Sequence, residues 1–320
     1  MTKNPGKDSQ PLVSVIMNCY NGEKYLSEAI DSIYTQTYNN WEIIFWDNAS
    51  TDRSADIAKS YDSKLRYFRG EETIPLGSAR NKALEMCRGK FIAFLDCDDL
   101  WMPGKLEKQI PLFQDPEVGL VFCDGVYFNE FGQSKIFYSS QPYAVGWCFS
   151  MLLSQYFLSM PTTVIRRSAL DSLDYWFDPR FQISEEADLF RRIGYSWKLA
   201  MSKDILAKWR VHESSWTWTK YNLVPQEVSL MLAEYSRIFP RFRKRFAKEI
   251  SDLNMQIRID GAFQLLREGN SSKARKNLSP YKMLNKKAFI FYMMTILPRN
   301  LLLLIFRLKG NVLPKDSIYA

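Results

Sequence analysis

Histidine is almost absent from this chain. Its one imidazole, at His212, excludes multi-histidine metal sites and His-Glu-x-x-His hydrolases. Gly-x-Gly occurs nowhere, which removes the dinucleotide fingerprint, and no Walker A run is present. The five cysteines (Cys19, Cys87, Cys97, Cys123, Cys148) are odd in number and show no Cys-x-x-Cys spacing. That argues against a disulfide framework or a structural zinc site and for a reducing compartment. The first ten residues are polar and hold no apolar h-region, so the expectation is a chain without a signal peptide that stays in the cytoplasm. What is present is ordinary globular composition, 46% hydrophobic and 24% charged. Its 320 residues suit one large domain, or one domain with a smaller partner.

Charge is unevenly placed. Residues 1–220 carry 25 basic against 28 acidic side chains, and residues 221–320 carry 18 against 7. A nucleic-acid enzyme needs basic residues around its reactive site, and here that half is slightly acidic, so no nucleic-acid partner is expected. The basic third reads either as a solvated helical face or as a surface meeting something anionic, with bilayer phospholipid the leading candidate.

Along the chain, Val13–Cys19 is a short apolar run stopped by Asn21-Gly22, and Glu23–Tyr34 has helical spacing. Trp41–Trp46 reads as a second buried strand ending in the polar run 47–52, followed by a helix over Ser54–Tyr61. Leu65–Arg69 is a third strand, Gly77–Cys87 a helix, and Phe91–Leu95 a strand running into Asp96-Cys97-Asp98-Asp99. This alternation predicts a mostly parallel sheet with helices on both faces. The polar clusters 18–21, 47–52 and 96–99 then share one edge, beyond the carboxyl ends of the strands, where such sheets bind ligands. Later strands are expected at Gly119–Asp124, Tyr127–Phe131, Thr163–Arg166 and Ile205–Val211, with a helix over Glu185–Ile193. From Tyr221 the pattern is wholly helical. Residues 241–268 form one long amphipathic stretch broken by Gly269-Asn270, and Ser272–Leu278 starts another helix, an arrangement like a single tetratricopeptide-type pair. Residues 288–306 are the most apolar, but Pro298-Arg299-Asn300 splits them into arms of 10 and 6 residues. Each arm is too short for a span of roughly 20 residues. Flanking Lys286, Lys287, Arg307 and Lys309 suit a helix in the headgroup layer, and packing on the protein's own core is the alternative.

Asp96-Cys97-Asp98-Asp99 is the most informative feature. Three carboxylates ending a hydrophobic strand repel one another unless a cation compensates them. Hard divalent ions, Mg²⁺ or Mn²⁺, take oxygen ligands and keep positions open for substrate phosphates. Asp-x-Asp alone is a weak signal. Here it follows FIAFL and precedes Leu100-Trp101-Met102-Pro103, with Pro103 apt to open a helix.

With these residues in view, the first two hundred positions resemble a family 2 glycosyltransferase with the GT-A fold, an inverting, nucleotide-sugar-dependent enzyme. The matching segments are Val13–Asn21, Asp47–Asp52, Gly77–Leu84, Phe94–Pro103 and Ser184–Arg192, in the family's order. The resemblance implies a GT-A catalytic domain over 11–220, after a polar tail (1–10). A helical extension (221–285) and an amphipathic segment (286–320), expected to meet either the membrane or the protein's own core, would follow. It implies that Tyr20 stacks on the base with Asn18 and Asp47 lining the nucleotide pocket, that Arg80 reaches ribose or diphosphate, and that Asp96 holds ribose or metal. Asp98 would be the main metal ligand and His212 would meet the metal or diphosphate. Where the family commonly has a second Asp accepting from a uracil N–H, this chain has Asn48, whose amide both donates and accepts, so several bases remain open. Glu186 matches the catalytic base, taking the acceptor hydroxyl's proton as that oxygen attacks C1 opposite the leaving diphosphate. The family more often has Glu-Asp there; Glu185-Glu186 adds a methylene. Asp188 and Arg192 would hold that helix in place, Cys97 is the small residue a tight loop needs, and Trp216 and Trp218 offer an acceptor platform or plain packing.

The expected activity is sugar transfer from a nucleoside diphosphate to a glycan or lipid-linked acceptor in cell-surface polysaccharide assembly. The setting is the inner face of the plasma membrane. The rivals are a nucleotidyltransferase, for which Asn21-Gly22-Glu23 is a poor phosphate loop, and a non-catalytic nucleotide-sugar-binding relative.

Overall fold

Val13–Cys19 (β1) and Trp41–Asp47 (β2) are buried at every residue. Near-continuous apolar runs of this kind belong to parallel strands covered on both faces. In the computed structural model, which describes residues 10–139, 142–212, 220–298, 301–302 and 305, they are neighbours in the sheet. Helices α1 (Leu26–Tyr34) and α2 (Ser54–Lys59), strand β3 (Leu65–Arg69), helix α3 (Leu76–Met86) and strand β4 (Phe91–Phe94) complete a parallel half in the order β3-β2-β1-β4. The register pairs Cys19 with Asp47 and Ile16 with Phe94. The polar clusters that follow β1, β2 and β4 therefore leave the sheet along one edge. Alternation splits the strands between two cores: Val15, Met17, Phe45 and Ala93 face one, and Ile16, Ile44, Ile92 and Phe94 the other.

The second half is mixed. Strand β5 (Leu100–Trp101) and helix α4 (Lys105–Gln109) precede β6 (Val118–Phe128) and β7 (Ser134–Ile136). Helix α5 (Phe149–Ser154), strand β8 (Val164–Arg166), helices α6 (Arg167–Asp171) and α7 (Glu185–Ser196) and strand β9 (Lys198–Arg210) follow. The nine-stranded sheet runs on from β4 as β8-β6-β9-β5, with β7 hairpinned to β6. Strand β8 is antiparallel to both neighbours, and β6 and β9 are parallel. The GT-A fold is what the sequence led us to expect, with these differences in its elements.

Two expected strands are one: β6 runs unbroken through Gly125, where a Cβ would lie 2.6 Å from the Phe137 ring, so the glycine makes room for an aromatic instead of ending the strand. It ends at Phe128 because the Asn129 side chain accepts from the backbone N–H of Phe131 and Gln133 and folds the turn. Strand β9 begins seven residues earlier than expected, its first half disguised by Lys198, Lys203 and Asp204. Helix α4 opens at Lys105 instead of at Pro103, because Leu100 and Trp101 pair with Lys208 and Ala207 first.

The C-terminal region is helical, as expected: α8 (Val224–Ile238), α9 (Phe242–Arg245), α10 (Ala247–Arg267), α11 (Ser271–Leu278) and α12 (Lys286–Met294). The stretch 241–268 is split at Phe246, whose φ of −117° is not helical and whose ring is buried with Phe149 and Phe242. Helices α10 and α11 pack across a turn at Gly269 (φ +80°), where Asn270 caps α11 by accepting from Lys273 N–H. Helix α12 buries Ala288 and Met294 against this pair and leaves Phe289, Ile290 and Met293 exposed. Among the described residues no helix is long and apolar enough to cross a membrane. Trp216, Trp218, the first nine residues and half of the second apolar arm (303, 304 and 306) lie outside the described residues.

Candidate active site

A cleft of about 610 Å³ lies at the carboxyl edge of β1 and β4 and is closed on its far side by the first turn of α7 and by Tyr221 and Asp260 of the helical region. Asn18, Arg80, Asp96, Asp98 and Glu186 all line it. Tyr20, Asp47 and Asn48 do not. Tyr20 is half exposed. Asp47 is wholly buried: one carboxylate oxygen accepts from Ser50 N–H, and the other accepts from the Tyr67 hydroxyl (2.6 Å) and Arg69 (2.5 Å). Asn48 turns both ends of its amide onto Ile74, donating to its carbonyl at 2.8 Å and accepting from its N–H at 3.2 Å. Its donor and acceptor capacity closes the loop between β3 and α3.

Asn18 is the opposite case. It is 8% exposed, and among the described residues neither end of its amide has a hydrogen-bond partner. Buried polar atoms normally find partners, and these two line the cleft.

Arg80, on α3, is 3% exposed. Its Nη1 donates to Glu185 Oε1 at 2.7 Å and its Nη2 to Asp96 Oδ1 at 3.0 Å. The guanidinium expected on ribose or diphosphate thus joins the strand end to the α7 N-terminus. Burial raises the Glu185 carboxyl above its ordinary range and the Arg80 charge opposes it.

The loop after β4 is held by backbone as much as by side chains. Arg210, at the end of β9, donates its N–H to Asp99 Oδ1 (2.8 Å), its Nε to the Asp98 carbonyl (2.8 Å) and its Nη2 to Glu28 (2.6 Å). Asp99 is buried, and burial, then the charges of Asp98 and Asp96, push its carboxyl well above the usual range. Asp98 stays in the cleft with its Oδ2 2.7 Å from His212 Nε2. Among the described residues no group of three or more His, Cys, Asp or Glu side chains is arranged to hold a metal ion.

Glu186 lies one residue into α7. Burial pushes its carboxyl up to about 8; Arg80 opposes the shift, and Glu185 and Asp96 add to it. The Tyr156 hydroxyl donates to its Oε1 at 3.1 Å and favours the charged form. Behind it, Asp188 accepts from Arg192 at 2.8 and 2.9 Å, and Arg192 also donates to the carbonyls of Tyr175 and Trp176.

Two contributors escaped the sequence reading. Tyr156 lies in a loop with no motif. Glu227, on α8, accepts from the backbone N–H groups of Gln182, Ile183 and Ser184 at 2.7, 3.2 and 2.9 Å and so shapes the loop that delivers Glu185 and Glu186. Nothing local to Glu227 signals that role.

The fold and the cleft define a glycosyltransferase of the GT-A type. The model for glycosyl transferase family 2 matches residues 14–172. An uncharacterized glycosyltransferase of Methanocaldococcus jannaschii is 30% identical over 213 residues, 64% of this chain and 73% of the relative. The UDP-Glc:alpha-D-GlcNAc-diphosphoundecaprenol beta-1,3-glucosyltransferase WfgD of Escherichia coli is 32% identical over 167 residues, 52% of this chain and 64% of WfgD. The mannosyltransferase PcManGT from Pyrobaculum calidifontis, solved in complex with GDP-Man and Mn²⁺, shares the fold with a TM-score of 0.60 at 18% identity, covering 97% of this chain and 83% of PcManGT. The chain belongs to glycosyl transferase family 2.

Proposed function

We propose that this glycosyltransferase moves a sugar, with inversion, from a nucleoside-diphosphate sugar to a hydroxyl of a glycan or lipid-linked acceptor in surface polysaccharide or glycoconjugate assembly. The observation that carries the reading is Glu186, a partly buried carboxyl whose proton affinity is pushed up to about 8, bonded to Tyr156 and lining the same cleft as Asp96 and Asp98. A base works best when its proton affinity lies near the working pH. Once ionised, Glu186 would take the proton of the acceptor hydroxyl as that oxygen attacks C1. Arg80 keeps Glu185 and Asp96 in fixed positions, and Asn18 has amide groups free to receive the donor. The names of WfgD and PcManGT, with UDP-Glc and GDP-Man as donors, support a nucleotide sugar as the donor and leave its base open.

The residues fit a divalent cation, Mn²⁺ or Mg²⁺. Asp98 and His212 offer an oxygen and a nitrogen 2.7 Å apart beside Asp96. That small set suits ions completed by substrate phosphates and water. When bound, such an ion stabilises charge on a leaving diphosphate.

The exposed side of α12 and the turn before it carries Met283 (82% exposed), Leu284 (76%), Phe289, Ile290 and Met293, flanked by Lys282 and Lys286. An apolar face rimmed by lysine suits docking on anionic lipid. The test is sugar transfer from a panel of nucleotide sugars by wild type and Glu186→Gln. We expect loss of about 10²–10⁴-fold in the variant, and full turnover without the carboxylate would remove Glu186 from the mechanism.

A further inference from the structure

A second cavity, of about 580 Å³, adjoins the first and shares Tyr156, Tyr221 and Asp260 with it. Its walls are apolar where α8 and α10 supply Val228, Leu253 and Ile257, and cationic where α7 and α12 supply Arg191 and Lys287.

Arg191 is the unexplained group. It is as buried as Arg80, 3% exposed, yet among the described residues no carboxylate lies within 4 Å of it. Its Nε donates to the Leu152 carbonyl at 2.9 Å, and its Nη1 meets only the Met231 sulfur at 3.4 Å. Of the carboxylates on the same helix, Asp188 is held by Arg192 at 2.8 Å and Glu185 by Arg80 at 2.7 Å. The Leu152 carbonyl and the face of the Tyr156 ring answer part of its charge, and with no counter-ion beside it among the described residues the cost of burying it is only partly offset. Lys287 adds a second positive charge, shared with Asp260 at 3.1 Å. The two cavities are thus opposite in sign. The first carries Asp96, Asp98, Glu185 and Glu186 against Arg80, the second carries Arg191 and Lys287, and Asp260 lines both.

The Arg191 guanidinium carbon stands 5.1 Å from the centre of the Tyr156 ring, and the hydroxyl of that ring donates to Glu186. An anion on Arg191 is therefore one tyrosine away from the base. Lys287 lies in the first turn of α12, the helix whose outer face is bare and apolar.

We propose that the second cavity is the acceptor site and that it takes the phosphate of a lipid-linked phosphate, with Arg191 as counter-ion and Val228, Leu253 and Ile257 against the start of the lipid chain. The assignment rests on the reading of Glu186 as base for the direction in which the acceptor hydroxyl points, and on the cavity alone for binding.

Calorimetry of the full chain in EDTA, without donor, tests it with farnesyl phosphate, farnesol and inorganic phosphate as probes. Wild type should bind farnesyl phosphate about tenfold or more tighter than either of the other two. Arg191→Gln should bring farnesyl phosphate down to the farnesol level, and Arg191→Lys should keep part of the preference. Asp98→Ala should bind as wild type does, since the donor side is not engaged. Equal affinity of wild type for farnesyl phosphate and farnesol overturns the proposal, as does an Arg191→Gln variant that keeps wild-type affinity. Inorganic phosphate binding as tightly as farnesyl phosphate removes the lipid assignment. If Arg191→Gln does not fold, thermal stabilisation of wild type by farnesyl phosphate but not by farnesol supports the proposal, and its absence overturns it. Metal and donor are absent throughout, so failure here leaves the transfer reading standing, and a failure of Glu186→Gln to lose transfer leaves this site standing.

Discussion

The hydroxyl of Tyr156 donates to Oε1 of Glu186 across 3.1 Å, linking a loop residue with no sequence motif to the carboxylate at the head of α7. That bond favours ionised Glu186 against the burial that holds its proton on.

Tyr156→Phe should therefore move the acidic limb of the rate–pH profile upward. On the proposed mechanism, activity depends on ionised Glu186 and rises with pH through its pKa, about 8 in the wild type. Removing the donor raises that value, and a shift of one unit costs about tenfold in rate on the acidic side. The kcat/KM profile reads it directly. An unmoved limb would mean that the tyrosine does not tune the base.

Glu186 also makes stability depend on pH. Its proton affinity is raised on folding from 4.5 to about 8. The folded chain thus binds more protons than the unfolded chain in that window, and stability falls as pH rises through it. Glu186→Gln should flatten the curve of urea midpoint against pH over that range and be the more stable protein at its upper end. Parallel curves for variant and wild type would contradict the assignment.

Arg80→Met leaves Glu185 buried at 4% exposure without its counter-charge. Breaking such a pair from one side costs about 3–5 kcal/mol, and Arg80→Lys, which keeps the charge, should cost less than half of that. Denaturant titration measures both.

Chelation should stop transfer, with Mn²⁺ or Mg²⁺ restoring it. Asp98→Ala should weaken Mn²⁺ binding in the presence of a nucleoside diphosphate by about tenfold or more, and His212→Ala by less. Undiminished transfer in EDTA would exclude the cation from the mechanism.

Phe289→Glu with Leu284→Glu should abolish sedimentation with phosphatidylglycerol vesicles and leave the melting temperature within a few degrees of wild type, because both side chains are exposed. Equal sedimentation of the double variant would rule out this face as the docking surface.

The donor half was readable in the sequence because its physics is local. Buried parallel strands are apolar runs, and each of β1, β2 and β4 ends in polar residues that the register brings to one edge. That Glu186 lies in the cleft was legible through its place in Ser184–Arg192. The partners of these residues were not. Arg80 was expected to face the ligand, and its two carboxylates come from positions 16 and 105 residues away. Asp47 and Asn48 were placed in the nucleotide pocket by the family resemblance, while their contacts in the fold, Tyr67, Arg69 and Ile74, follow from the path of β3 and the loop after it. Arg191 looked like one more residue of a helix, and only the packing of α8 and α10 shows that it is buried without a carboxylate beside it.

Helix α8 supplies Val228 to the wall of the second cavity, and its Glu227 reaches back to hold the loop before α7. Chimeras are constrained by that contact. Exchanging the tail from residue 220 onward for another family member's would replace Val228, Leu253, Ile257 and Lys287 of the proposed acceptor cavity, together with Tyr221, Val224 and Asp260, which line both cavities. The graft must bring a carboxylate equivalent to Glu227, or the base will arrive misplaced.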